Sequence, residues 1–185
     1  MALKIVADAG HGGEDPGGAS LGMLEKQIVL ATQQLFWKAA ADRGHSVFPT
    51  RVTDVFIPIP KRSAYANELG ADVFVSLHAN SGVPSSRGPW TLHARGSVRG
   101  RALAQAIQRE IAAVAGGSVN AFFPDESPQV DNRRLGVLRG THMPAVIVEL
   151  GFMTNPTDLA LLQNPAHLAA MAAAVVRGVD AWAAR

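Results

Sequence analysis

The 185-residue sequence contains no cysteine, which excludes disulfide bonds and thiol chemistry and fits reducing and oxidising compartments equally. Nor does one sign of charge dominate: 17 Lys+Arg against 15 Asp+Glu leave a formal +2, so no nucleic acid partner is implied. Arginines do gather locally, at Arg95, Arg99, Arg101 and Arg109 and again at Arg133, Arg134 and Arg139. Either group could meet an anionic polymer, although the first reads more simply as a solvated face. No run reaches the roughly 18 consecutive apolar residues of a membrane helix, so no membrane span is expected. Met1-Ala2-Leu3-Lys4 passes directly into an apolar run, leaving no room for the charged, apolar and cleavage regions of a signal peptide. Repeats, low-complexity tracts and linkers are also missing. With 48% hydrophobic residues, the chain has the size and composition of a single domain, 1–185, that buries its own core.

Apolar runs of strand length alternate with helical periodicities along the whole chain. This predicts an α/β domain with a mainly parallel, twisted sheet flanked by helices on both faces. Strands are expected at 3–7, 45–51, 72–77, 90–92, 135–138 and 145–148. After the first strand comes a Gly-rich loop, 11–22, and then a helix with Leu24, Ile28, Ala31, Leu35 and Ala39 on one face. Pro58 and Pro60 open a short helix that Gly70 ends, and a further helix is expected over 98–114. Residues 116–130 show no periodicity and read as the longest loop, bordering the site. Beyond Asn155-Pro156, the stripe Leu168, Met171, Val175, Val179, Trp182 reads as core.

Four polar residues stand where strands end or helices begin. His11 follows the first strand, His78 follows Val73-Phe74-Val75-Ser76-Leu77, and Glu149 ends Ala145-Val146-Ile147-Val148, where an apolar residue would be expected. Glu25 lies in the first turn of a helix, where the backbone N–H groups favour its ionised form. In an open parallel sheet the carboxyl ends of the strands share one cleft. Period-2 alternation puts Phe74, Ser76 and His78 on one face of their strand, and Ala145, Ile147 and Glu149 on one face of theirs. Two imidazoles and one carboxylate suit one zinc ion with an open coordination position. The ion would lower the pKa of a bound water to about 7. A second carboxylate near that water, Glu149, would deprotonate it and then protonate a leaving nitrogen. Asp8 is a candidate to orient an imidazole ligand through its other nitrogen.

On the residues alone, plainer readings stay open: His11 as a loop residue, and Glu149 as a buried partner of an arginine such as Arg139. His45 and His167 read as solvated, and His93 could face either way. His142 is the substitute ligand or substrate contact should one of the four be wrong. Gly10 to Gly18 is rich in glycine, but Asp15 stands where the dinucleotide fingerprint needs Gly. The Lys and Ser/Thr of a P-loop are missing at Gly18 and Ala19, so nucleotide binding is discarded.

Four motifs in order carry a family resemblance: Ile5-Val6-Ala7-Asp8-Ala9-Gly10-His11-Gly12-Gly13 with Asp15-Pro16-Gly17; Glu25 opening a helix; Ser76-Leu77-His78-Ala79-Asn80; and Pro144-Ala145-Val146-Ile147-Val148-Glu149-Leu150-Gly151-Phe152 with Asn155-Pro156. Together they resemble the zinc-dependent N-acetylmuramoyl-L-alanine amidases of the Amidase_3 type, from Leu3 to about Trp182. The resemblance implies zinc ligands at His11, Glu25 and His78 and a catalytic glutamate at Glu149. The implied reaction hydrolyses the amide between the lactyl group of N-acetylmuramic acid and L-alanine. Its substrate would be peptidoglycan or its muropeptides. The place of action would be the cell wall, reached in the periplasm or outside the cell, or by a phage-type endolysin from within. Asn80 and Arg139, beside the motifs, are the candidate substrate contacts.

Two departures from the family pattern stand out. Ala9 replaces a frequent Pro, a change expected to be tolerated. Some cell-division members also carry a long helix before the catalytic strand that blocks the zinc until a partner removes it. Residues 116–131 are too short and too proline-broken to form one, which implies an open site that needs no activator protein. Two rivals remain: a zinc peptidase cutting within the stem with the same ligands, and a non-catalytic wall-binding module, against which retention of all four polar positions argues.

Overall fold

In the computed structural model, which describes residues 1–124 and 136–185, six strands form one sheet in the order β4-β1-β5-β8-β6-β7. The strands are β1 (Lys4–Ala9), β4 (Ser46–Pro49), β5 (Val73–Asn80), β6 (Trp90–His93), β7 (Phe122–Pro124) and β8 (Ala145–Phe152). β4, β1, β5 and β8 are mutually parallel, β6 runs antiparallel to β8, and β7 lies parallel to β6. A two-stranded ribbon, β2 (Ala19–Ser20) and β3 (Met23–Leu24), stands apart where the Gly-rich loop leads into the helix that follows. The helices are α1 (Glu25–Ala41), α2 (Ile59–Glu68), α3 (Val98–Ala115), α4 (Gly136–Gly140), α5 (Pro156–Leu162) and α6 (Pro165–Ala183). The α/β class and the mainly parallel sheet are as the sequence implies.

Two apolar layers clothe the sheet because its central strands alternate between faces. Ile5, Ala7, Val75, Leu77, Val146 and Val148 pack under α1, α3 and α6, where Phe36, Ile107, Met171 and Val175 are fully buried. On the opposite face Val6, Phe74, Ala145 and Ile147 meet Ala66 of α2 and Val137 and Leu138 of α4. That second, thinner layer matters for the site. Along it the register pairs run Val6 with Phe74, Asp8 with Ser76, and His78 with Glu149. Each strand therefore turns from apolar to polar as it approaches its carboxyl end.

Four sequence expectations change here. The helical period of α1 was read correctly but its phase is one residue off: Val29, Thr32, Phe36 and Ala40 are buried with Ile28, whereas Ala31 is exposed. The strand expected at 135–138 is helix where it is described, because Val137 and Leu138 dock onto α2, and a short apolar run does not distinguish the two states. Residue 135 lies outside the described residues. The expected loop 116–130 contains β7, which extends the sheet beyond β6; its part from 125 on is also outside them, as are Arg133 and Arg134. His45 is buried, its Nδ1 accepting from Leu3 N at 3.2 Å and its Nε2 meeting Asp180 Oδ1 at 2.7 Å.

Candidate metal centre

The loop after β1 is built to turn an imidazole back over the sheet edge. His11 adopts φ 59°, a left-handed conformation that costs a non-glycine residue about 1–2 kcal/mol and so needs external support. Arg62 of α2 provides it: Nη2 donates to His11 O at 2.7 Å and Nη1 to Ala9 O at 2.6 Å. Arg51 adds donations from Nε to Ala9 O at 3.0 Å and from Nη2 to Gly10 O at 2.8 Å. Both guanidiniums are buried. At Gly10 a Cβ would stand 2.3 Å from the His78 ring, so only glycine lets β5 deliver His78 across this loop.

Glu25 reaches the same point from α1. The first N–H groups of that helix are satisfied by the Gly-rich loop, Glu25 N donating to Gly18 O at 2.8 Å and Lys26 N to Pro16 O at 3.2 Å. Its carboxylate is buried and fully engaged. Oε1 lies 3.0 Å from His11 Nε2 and 2.9 Å from His78 Nδ1, and accepts from Ala79 N at 3.0 Å; Oε2 accepts from Gly18 N at 2.8 Å. Burial alone would raise its pKa, but the two imidazoles outweigh burial and hold it ionised, well below the usual carboxylate range. For His78 burial works to lower the pKa, and the Glu25 carboxylate outweighs it, so the net shift is upward.

His11, Glu25 and His78 are thus brought together, with one donor atom of each lying within 4.8 Å of the others. The separations of 2.9–3.0 Å from the carboxylate oxygen to each imidazole nitrogen are close to the about 3.3 Å that tetrahedral zinc imposes on ligands about 2.0–2.1 Å away. His11 turns both ring nitrogens toward carboxylates, since its Nδ1 meets Asp15 Oδ2 at 2.9 Å. A cation at the other nitrogen satisfies that arrangement without a second ring proton. The donor set therefore fits zinc.

Asp8 takes a different part from the one expected. It accepts from Thr50 Oγ1 at 2.7 Å, Ser76 Oγ at 2.6 Å and Arg62 Nη1 at 2.7 Å. It anchors the arginine under the His11 loop, while Asp15 is the carboxylate that meets Nδ1 of His11. Asp15, Arg51 and Arg62 were missed in the sequence. Asp15 alone carried a signal, four residues after His11 in Asp-Pro-Gly. Burial raises and the His11 hydrogen bond lowers the Asp15 pKa, with a net lowering.

Glu149 is buried on β8 as the register partner of His78. Asn80 is half-buried at the end of β5, its Oδ1 accepting from Ser81 N at 2.9 Å. Arg139 is exposed on α4, and the α4 residue that faces the cavity beside the histidines is Val137. The remaining histidines stay outside the cluster: His93 is buried with Nδ1 3.0 Å from Ala94 O, His142 is exposed, and His167 is partly buried rather than solvated.

A family model for N-acetylmuramoyl-L-alanine amidases matches residues 5–181. The uncharacterized protein YqiI of Bacillus subtilis is 33% identical over 96% of this chain and 84% of its own length. The amidase AmiC of Neisseria meningitidis is 32% identical over 96% of this chain, which spans about half (52%) of that relative. The crystal structure of an N-acetylmuramoyl-L-alanine amidase from Clostridium difficile 630 superposes with TM-score 0.89 at 27% identity, covering 99% of this chain and 97% of that one. The CwlD amidase of Clostridioides difficile, solved in complex with the GerS lipoprotein, shares the fold at TM-score 0.83 and 24% identity, covering 98% of each chain. The chain belongs to the Amidase_3 family, the N-acetylmuramoyl-L-alanine amidases.

Proposed function

We propose that this chain hydrolyses the amide joining the lactyl group of N-acetylmuramic acid to L-alanine in peptidoglycan, as a zinc-dependent enzyme with Glu149 as general base. The observation that carries the proposal is the meeting of His11, Glu25 and His78 at one point, with Glu149 paired in register with His78. His11, Glu25 and His78 would hold the ion. Zinc held there would supply Lewis acidity to the scissile carbonyl and acidify a water to a pKa of about 7.

The protein's own groups do the rest. Asp15 fixes the tautomer and tilt of His11. The N–H groups of Gly18 and Ala79 keep the Glu25 carboxylate in one orientation. Glu149 takes the proton of the attacking water and returns it to the departing nitrogen, which leaves as the amine of L-alanine. The products are a glycan strand and a peptide with a free amino terminus. Asn80 and Arg139 remain the proposed substrate contacts.

The proposal includes action at the cell wall without an activator, since His11 and His78 line an open cavity. Among the described residues no single helix is long and apolar enough to cross a membrane. Mass analysis of digested peptidoglycan tests the reaction. Intact stem peptides with a free L-Ala amine, lost on chelation and restored by zinc, are expected. Shortened stems still attached to sugar would instead identify a peptidase, and strong cleavage only after addition of a partner protein would contradict the open site.

A further inference from the structure

Between β4 and α2 the chain carries Val52, Val55 and Phe56, all exposed apolar side chains. This stretch is tied to the His11 loop. Gly13 N donates to Asp54 Oδ1 at 2.8 Å, Lys26 Nζ bridges Gly13 O at 2.8 Å and Asp54 Oδ2 at 2.7 Å, and Arg62 Nε donates to Ile57 O at 2.8 Å. The two loops approach so closely that a Cβ at Gly12, φ +120°, would stand 2.2 Å from Val55 O. The result is a preformed wall beside the metal ligands. It bounds a cavity of about 400 Å³ that runs from His11 and His78 along Phe56, Pro58, Ile59 and Val137.

The charged groups in this lining are already engaged. Arg62 donates to Asp8 and to three carbonyls, Asp8 accepts from three donors, and Asp15 accepts from His11 Nδ1 and Gly17 N. Away from the metal position, the rest of the lining among the described residues is apolar and offers no uncommitted cation, and a carboxylate brought against it would lose its hydration without compensation. The two halves of the amide substrate differ in this respect. The stem peptide carries free carboxylates, whereas the lactyl carboxyl of the muramyl sugar is consumed in the scissile amide. The sugar is then neutral, with C–H faces suited to a phenyl ring and proline rings.

We infer that this cavity is the glycan subsite, seating the muramyl ring against Phe56 and Pro58 while the stem peptide leaves in another direction. The inference deepens the amidase reading and rests on it. Phe56 is 46% exposed, so covering it with a sugar face is worth about tenfold in affinity. It contributes little to the folded core.

The test compares wild type, Phe56→Ala and Phe56→Trp on two substrates, a disaccharide-linked stem peptide and the same peptide carrying lactate but no sugar. Phe56→Ala should raise KM about tenfold for the first and leave the second within about twofold, and Phe56→Trp should restore the first. Equal losses on both substrates, or no loss on the sugar-bearing one, would overturn the assignment. In parallel, the methyl glycoside of N-acetylmuramic acid, its lactyl carboxyl capped as the N-methylamide so that the probe is neutral, is titrated into the full chain and followed by NMR. Shifts at Phe56 and Ile59 that vanish in Phe56→Ala are expected, and binding elsewhere or no binding would refute the subsite. Failure of the wild type to release peptides with a free L-Ala amine would refute the amidase reading instead, and the titration would still decide the subsite.

Discussion

His78 and Glu149 are paired in register on adjacent parallel strands, one imidazole of the candidate metal-binding trio beside one carboxylate outside it. Parallel pairing of β5 with β8 fixes their separation through the backbone rather than through a flexible loop. The proposed metal and the proposed base can therefore be tested one at a time.

Replacing Glu149 by Ala should leave zinc content unchanged and lower turnover by at least about 10²-fold, the scale of a lost general base. Metal analysis and initial rates on muropeptides measure the two effects. Undiminished activity would remove Glu149 from the mechanism.

His78→Ala should abolish stoichiometric zinc. The ring is half-buried, meets Glu25 through Nδ1 and packs edge-on to His11, with centroids 4.9 Å apart. Its loss would leave two of the three proposed ligands, too few for a stable catalytic site. Zinc content equal to wild type after dialysis would show that His78 is not a ligand.

Asp15→Asn separates metal binding from folding. The Asp15 side chain is 42% exposed, so its pairing with His11 adds no more than about 1 kcal/mol to stability. As the acceptor that orients the imidazole of His11, a proposed ligand, it should matter more to the metal, with zinc affinity falling about 10- to 100-fold. Competition with a chromogenic chelator measures the first quantity and denaturant unfolding the second. Loss of stability with unchanged affinity would reverse the assignment.

Asp8 should govern acid stability. Burial raises its pKa, but the Arg62 charge and the Ser76 and Thr50 hydroxyls outweigh burial, so the folded value lies below the usual carboxylate value. A depressed folded pKa contributes stability that is present above the unfolded value of about 3.9 and is lost as pH falls through the folded one. Asp8→Asn leaves Arg62 as a buried unpaired cation and should cost about 3–5 kcal/mol near neutrality. The gap between variant and wild type should close as the medium is acidified below about pH 4. A gap that persists unchanged at low pH would show that the ionised carboxylate is not its source.

The site was more legible in the sequence than the elements around it. Glu149 stood out as a carboxylate directly after an apolar run, although β8 continues past it to Phe152, and His78 because period-2 alternation put it on one face with Phe74 and Ser76. The carboxyl ends of parallel strands share one edge, so two local patterns gave a long-range contact. Asp15, Arg51 and Arg62 were missed because their work is done on backbone and side-chain atoms that folding alone brings near. Arg62 lies 51 residues from the carbonyl of His11 that it holds. The phase of α1 was misread because Ala31 and Leu35 fit a stripe as well as Val29 and Phe36 do, and only the large ring of Phe36 settles which face turns inward. β7 escaped notice because three residues in a polar setting have no measurable period.

Anomalous diffraction at the zinc edge, on crystals grown with stoichiometric zinc, tests the metal centre most directly. One peak bonded to His11, Glu25 and His78, with the Glu149 carboxylate off the metal and facing its open position, is the expected result. A peak held by a different set of side chains, or Glu149 among the ligands, would contradict it.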